Sequence, residues 1–154
     1  MVISISSSAF RDGDGIPDKY TCQGLDVSPS LAMESKPPAW TRSLVLIVDD
    51  PDAPGEVFTH WVLFNIPPDN FELPDAVPAE ERLSSGALQG KNDFGNIGYG
   101  GPCPPPGRSH RYQFTIYALD CTLDLKAGAS KKQVVDAMQR HILSQGQLVG
   151  SYQR

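Results

Sequence analysis

The chain offers no stretch that could cross a membrane as a helix. No apolar run approaches the roughly 20 residues that a span needs. The start, Met1-Val2-Ile3-Ser4-Ile5-Ser6, has neither a basic opening nor a long apolar segment, so no secretory leader is expected. No Asn-x-Ser/Thr acceptor occurs, and the expected location is cytoplasmic. Basic residues are outnumbered, 13 against 18 acids, for a net charge of -5. A nucleic-acid binder needs a basic face, so no nucleic-acid partner is expected, although a small positive site is compatible with this balance. Cysteine is scarce. Cys22, Cys103 and Cys121 show no Cys-x-x-Cys spacing, and an odd number in a cytoplasmic chain reads as reduced thiols. Catalytic signatures are missing too: there is no Gly-x-Ser-x-Gly elbow, no Gly-Lys-Ser/Thr phosphate loop and no GxGxxG.

Glycine and proline are abundant, 14 of each, and they cluster in loops, as in a turn-rich β protein. At 154 residues one domain, 1–154, is expected, large enough to bury roughly 68–70% of its unfolded surface. Leu44-Val45-Leu46-Ile47-Val48 reads as a strand of about 43–49 buried on both faces. Trp61-Val62-Leu63-Phe64 lies in a second strand, about 60–66, and antiparallel pairing would put Asp50 and His60 at one end of the sheet. Between them, Asp49-Asp50-Pro51-Asp52-Ala53-Pro54 places acids on a loop stiffened by prolines.

Elsewhere the signals are local. Val2-Ile3-Ser4-Ile5 alternates like an edge strand, and Ala79–Leu83 could form one helical turn. Asp12-Gly13-Asp14-Gly15 fails as a calcium loop, because Ile16 and Gln23 fall where ligands are needed; it reads as a tight turn. Tyr112, Phe114, Ile116 and Ala118 alternate with Arg111, Gln113, Thr115 and Tyr117, a strand opening at His110. Ser130-Lys131-Lys132-Gln133 opens a helix with a capping box. Its stripe, Val134, Met138, Ile142 and Gln145, predicts a helix running to Gly146, with His141 in its last turn and a short strand at 147–152.

The segment from Gly95 to Gly107, which holds Tyr99, Gly100, Gly101, Pro102 and Cys103, fits either a linker or a loop whose amides approach an anion. His60 and His110 each open a strand beside a proline-rich loop, with Asp50 at a strand exit. Three chemistries could use them. One is a pocket for a phosphate-like anion, with Asp50 orienting an imidazole. Another is a two-His-one-carboxylate metal site. The third is a hydrolase with a Ser or Cys nucleophile, for which Cys103 is the nearby thiol. The residues rank the hydrolase lowest and leave the first two open.

Asp50-Pro51-Asp52-Ala53-Pro54, His60-Trp61, Gly100-Gly101-Pro102 through Gly107, and His110-Arg111-Tyr112 together resemble the phosphatidylethanolamine-binding protein family, in its bacterial and archaeal Raf kinase inhibitor-like branch. Lys19-Tyr20-Thr21-Cys22, Val27-Ser28-Pro29-Ser30-Leu31, Asn92-Asp93-Phe94-Gly95 and Leu148-Val149-Gly150-Ser151-Tyr152 extend the resemblance along the chain. It implies a mainly β, Greek-key fold: a large central sheet on a smaller sheet, short peripheral helices and a C-terminal helix. It implies an anion pocket formed by Asp50, His60, Gly101, Pro102, His110 and Tyr112, supported by Pro51, Asp52, Pro54, Trp61 and Gly100, with a cis bond at Ala53-Pro54. The expected activity is recognition of a small anion, a phosphoryl lipid headgroup or a phosphorylated partner in signalling. No catalytic residue, cofactor or resident metal is expected. The alternatives are a kinase or protease inhibitor acting through the pocket rim, and a metal-dependent or hydrolytic enzyme. A homodimer would follow if Trp61 or Tyr99 extended into an exposed apolar patch.

Overall fold

A computed structural model of the chain describes residues 3–69 and 71–154. The strands, in chain order, are β1 (Ile5–Ser6), β2 (Leu31–Met33), β3 (Ser43–Asp50), β4 (Phe58–Ile66), β5 (Glu72–Leu73), β6 (Leu88–Gln89), β7 (His110–Leu119) and β8 (Ile142–Tyr152). Among the described residues one helix, α1 (Lys131–Met138), precedes β8, and a single 3₁₀ turn covers Asp18–Tyr20. The large sheet has the order β6-β4-β3-β7-β8 and the small one β1-β2-β5, with antiparallel pairing throughout. β3, β4 and β6 run side by side, and β7 returns along the free edge of β3, which is the Greek-key connection.

The two-sided burial of β3 follows from its continuous apolar run. Leu44, Leu46 and Val48 join Leu63, Phe114 and Ile116, with Ile5, Leu31 and Phe71 from the region of the small sheet. Val45 and Ile47 face the other way, onto Val62, Phe64, Val134 and Met138. The molecule is therefore layered: small sheet, large sheet, helix. Val134 and Met138 are essentially inaccessible, each burial contributing about 1.5–3 kcal/mol. The capping box forms as expected: Ser130 Oγ accepts the Gln133 amide at 3.1 Å, and the Gln133 side chain accepts the Ser130 amide at 2.9 Å.

The helix stops well short of Gly146. Residues 142–152 form β8 instead and pair with β7 from Leu119↔Ile142 to His110↔Tyr152. Ser144, Gly146, Leu148, Gly150 and Tyr152 are the buried alternate residues, so a period of two overrides the helical stripe. Arg140, at φ 71°, turns the chain between the two elements. The helix is thus not the C-terminal element. Gly146 is needed for close approach, since a Cβ there would lie 1.7 Å from the Ile3 carbonyl oxygen.

Other differences are local. The first strand is Ile5–Ser6; Ile3 instead donates its amide to Gln145, and Val2 lies outside the described residues. Residues 79–83 form no helical turn, because Glu81 and Leu83 bond across to Gln89 and Ala87. Every described peptide bond is trans, Ala53-Pro54 included. The acid loop is closed by the Asp52 amide on Asp50 Oδ1 at 2.8 Å.

Candidate functional site

β3 ends on Asp50, which continues the inward face of Leu44, Leu46 and Val48; Asp49 faces the helix side and pairs with Lys131 at 2.8 Å. β7 begins with His110 and Tyr112 in line with Phe114 and Ile116, on that same inward face. Alternation along β4 would send His60 to the opposite face from Trp61. The register prevents this: Val48 pairs with Trp61, but Asp49 pairs with Thr59, so His60 is the extra residue of a β-bulge. Bulges re-aim side chains at sheet ends. Here the bulge brings His60 to the inner side, between Phe58, Phe94 and Tyr112, at ring-centroid distances of 4.9, 5.4 and 5.2 Å.

These residues surround a cavity of about 160 Å³, room for about five waters at liquid density. Asp50, His60, His110 and Tyr112 form its polar wall; Ala53, Pro54, Phe58, Phe94, Cys103, Pro104 and Pro105 complete it. His110 Nδ1 lies 2.7 Å from Asp50 Oδ2, both nearly inaccessible to solvent. A carboxylate only accepts, so the imidazole donates through Nδ1 and leaves Nε2 for the cavity. His60 Nδ1 donates to the Gly100 carbonyl at 2.7 Å, again leaving Nε2. Burial holds His60 below its ordinary range, opposed by the Gly100 carbonyl and the charge of Asp50. Burial, then the charge of Asp50 and a hydrogen bond to it, pushes the Tyr112 hydroxyl well up. Both therefore favour their neutral forms at neutral pH.

The acid loop is anchored from outside. Asp52 accepts the Arg111 amide, Nε and Nη2 at 2.8–2.9 Å, and this pairing lowers its carboxyl to about 2. Arg108 donates to the Asp52 carbonyl at 3.2 Å. The Phe94 wall is held by Asn92, whose buried side chain accepts the Phe94 and Asn96 amides and donates to the Gly98 carbonyl.

The glycine-rich segment plays a different part from an amide cradle. The Gly100 amide donates to His60, Gly101 to Asp26, Gly98 to Gly90 and Gly107 to Arg154. Gly101 and Pro102 lie behind the wall, where a Cβ on Gly101 would meet the Tyr20 carbonyl at 2.3 Å. The cavity is roofed by the next three residues. Cys103 is not a free thiol: it is bonded to Cys22, across 81 positions. The segment folds back on residues 20–26 through Tyr99 Oη to the Tyr20 carbonyl at 2.7 Å and the Cys22 amide to the Pro102 carbonyl at 3.1 Å. That brings the two Cα atoms to 5.4 Å, within disulfide reach. Cys121 stays free. Trp61 is fully buried, bonded to Gln89 and packed on Tyr99, so it forms no exposed patch for a dimer.

Asp50, His60 and His110 were readable from the residues and Tyr112 from the family resemblance, and the structure brings all four together. Phe58, Phe94, Pro104 and Pro105 were not singled out. For Phe58 and His60 no sequence signal marks the bulge; Phe94 sat in the quoted Asn92–Gly95 stretch.

Residues 6–153 match the family described as phosphatidylethanolamine-binding protein. The chain is 51% identical to a UPF0098 protein of Methanothermobacter thermautotrophicus, over 99% of both chains. It is 50% identical to UPF0098 protein PH1269 of Pyrococcus horikoshii, over 96% of this chain and 75% of that protein. Among solved structures it resembles a phosphatidylethanolamine-binding protein homolog of Chlamydia trachomatis, with TM-score 0.89, 39% identity, and coverage of 99% of this chain and 98% of that one. It also resembles E. coli YbcL, described as a member of the mammalian PEBP family, with TM-score 0.90, 32% identity, and coverage of 100% and 99%.

Proposed function

The chain belongs to the phosphatidylethanolamine-binding protein family, and from that premise we propose that its cavity binds a small phosphoryl or comparable anionic group without turning it over. The observation that carries this reading is the convergence of His60, His110 with Asp50, and Tyr112 on one cavity of about 160 Å³. The volume suits a headgroup and excludes acyl chains. A His110 ring carrying a proton on each nitrogen donates one to Asp50 and the other, from Nε2, to an anion, and such a charge-assisted bond is roughly twice as strong as a neutral one. Neutral His60 presents an Nε2 lone pair, which accepts from a protonated phosphate oxygen or an ammonium. The site thus matches a group carrying both acceptor and donor atoms. Apolar walls from Phe58, Pro54, Pro104 and Pro105 strengthen each such bond by excluding water.

Binding without chemistry is supported by the disulfide, which occupies the sulfur of Cys103. No described helix is long and apolar enough to cross a membrane. The proposed location is cytoplasmic, and the Cys22–Cys103 bond suits a cytoplasm that retains structural disulfides, as in hyperthermophile cells. A second reading, docking of a phosphorylated segment of a kinase or protease, is favoured by Phe94, a wall residue of the cavity that stays about half exposed.

Titration with inorganic phosphate, phosphoethanolamine and a phosphoserine peptide, followed by NMR, tests both readings. His60 and His110 resonances are expected to shift and saturate. If neither responds up to millimolar ligand, the proposal fails; a response to the peptide at much lower concentration than to phosphate selects the protein partner.

A further inference from the structure

A second cluster of chemically capable side chains stands at the opposite end of β7. Asp120 and Cys121 directly follow that strand, and His141 directly precedes β8. β7 and β8 are antiparallel neighbours, so the end of one lies beside the start of the other. The Asp120 amide donates to the His141 carbonyl at 3.0 Å and fixes the two segments together. One ligating atom from each of Asp120, Cys121 and His141 lies within 4.8 Å of the other two. Among the described residues no other group of three His, Cys, Asp or Glu side chains meets that spacing, the Asp50, His60 and His110 set included. A broad cleft lined by Arg42, Asp120, Cys121 and Thr122 opens beside them.

We infer that Asp120, Cys121 and His141 form a binding site for a divalent cation of the zinc class, with a fourth coordination position open to the cleft. The donor set decides the cation. A thiolate, an imidazole and a carboxylate suit zinc or cobalt, whereas calcium and magnesium prefer all-oxygen shells. Bonds of about 2.0–2.3 Å in a tetrahedral shell put ligand atoms roughly 3.3–3.6 Å apart. His141 Nδ1 and Asp120 Oδ1 are already 2.8 Å apart, sharing the proton that a metal would replace. Both side chains are more than 40% exposed, free to rotate and widen their spacing by the roughly 0.5–0.8 Å that the shell requires. Cys121 is the free thiol. A dication bound to the sulfur displaces the thiol proton. Thiolate and carboxylate then balance the ion's charge, and Arg42 on the cleft wall favours an anionic fourth ligand.

The test is titration of the purified, metal-free chain with cobalt(II), without thiol reductant, so that Cys22 and Cys103 stay bonded. Absorbance is expected to show a thiolate-to-cobalt charge-transfer band and intense tetrahedral d–d bands, saturating at one ion per chain and displaced by zinc. Cys121→Ser should abolish the charge-transfer band, and His141→Gln should weaken binding at least roughly tenfold. His60→Gln and His110→Gln should leave both unchanged. Alkylation of Cys121 in the native wild-type chain gives the same readout if Cys121→Ser does not fold. A silent titration, or a band that survives loss of Cys121, overturns the site.

Discussion

Replacing Asp50 by asparagine keeps the side chain's shape and turns one oxygen into an amide nitrogen. In the native loop both oxygens accept: Oδ1 from the Asp52 amide at 2.8 Å, Oδ2 from His110 Nδ1 at 2.7 Å. An asparagine can satisfy only one of these donors. If its oxygen faced His110, its NH₂ would oppose the Asp52 amide and open the acid loop. The cheaper arrangement keeps the oxygen on Asp52 and turns the NH₂ to His110, which then moves its own proton from Nδ1 to Nε2. A buried bond to a charged group, about 1.5–3 kcal/mol, becomes a neutral one of about 0.5–1.5 kcal/mol. The net loss is about 1–2 kcal/mol. For a chain of 154 residues that lowers Tm by about 2–8 °C, at 2–4 °C per kcal/mol. Long-range ¹H–¹⁵N spectra of the histidine rings read the tautomer, and calorimetry reads Tm. Phosphate affinity is informative because its sign is not the naive one. Removing a lone carboxylate from an anion site should raise affinity; removing the partner of an imidazolium should lower it, here about fivefold for 1 kcal/mol. A His110 still protonated on Nδ1, an unchanged Tm, or tighter phosphate binding would refute this account of the site.

Reduction of Cys22–Cys103 opens a loop of 81 residues, and the chain-entropy relation sets its stabilisation at about 4.5 kcal/mol, with measured disulfides more often at 2–4. Dithiothreitol is therefore expected to lower Tm by several degrees and, because Cys103 walls the cavity, to weaken phosphate binding; unchanged binding after full reduction would show that the roof is held without the bond. Stability should also fall with pH in two separate steps. His60 sits below its ordinary value of 6.5, so under about pH 6.5 the unfolded chain takes up a proton that the folded chain refuses, and stability declines until the folded group titrates. Asp52, held at about 2 instead of 3.8, keeps its full contribution above about pH 4 and loses it as pH falls through 2. Its partner Arg111 is 61% exposed, so solvent screening limits this second step to about 0.5–1 kcal/mol. Urea midpoints across pH should lose the upper step in His60→Gln and the lower step in Asp52→Asn; a variant that retains its own step contradicts the assignment.

The parts legible in the sequence were those set by short-range pattern. The run at 44–48, the alternation from 110 to 118 and the capping box at Ser130 each name their element from within about ten residues, and each formed. The reading of 142–146 as helix failed because it rested on the same kind of local pattern, a stripe of period 3.6 that was equally compatible with alternation. What decided it was β7: the ladder along His110–Leu119 pairs with Ile142 and with every residue from Ser144 to Tyr152, whereas a longer helix would leave that edge of the sheet bare. The disulfide was hidden for a related reason. Nothing near Cys22 or Cys103 marks them as partners; they meet because Tyr99, Gly101 and Pro102 bond to residues 20–26.

The pocket shows most clearly how local text and tertiary register divide the work. Asp50, His110 and Tyr112 reach the cavity by simple parity, each an even-numbered residue on a strand whose even face is inward. His60 does not. On a regular strand, with Trp61 inward, it would point toward the helix layer and Thr59 would turn inward, and the cavity would lack its second imidazole. One extra residue between the pairs Val48↔Trp61 and Asp49↔Thr59 corrects this. The bulge also returns Phe58 to the inward face opposite Asp50, so a single irregularity supplies both a polar and an apolar wall. A deletion that removed it would leave the strand intact and exchange these faces, turning His60 away from Tyr112 and filling the site with Thr59. The sheet would then fold much as before around a cavity with only one histidine, which places the site's identity in the register of β4 as much as in the residues themselves.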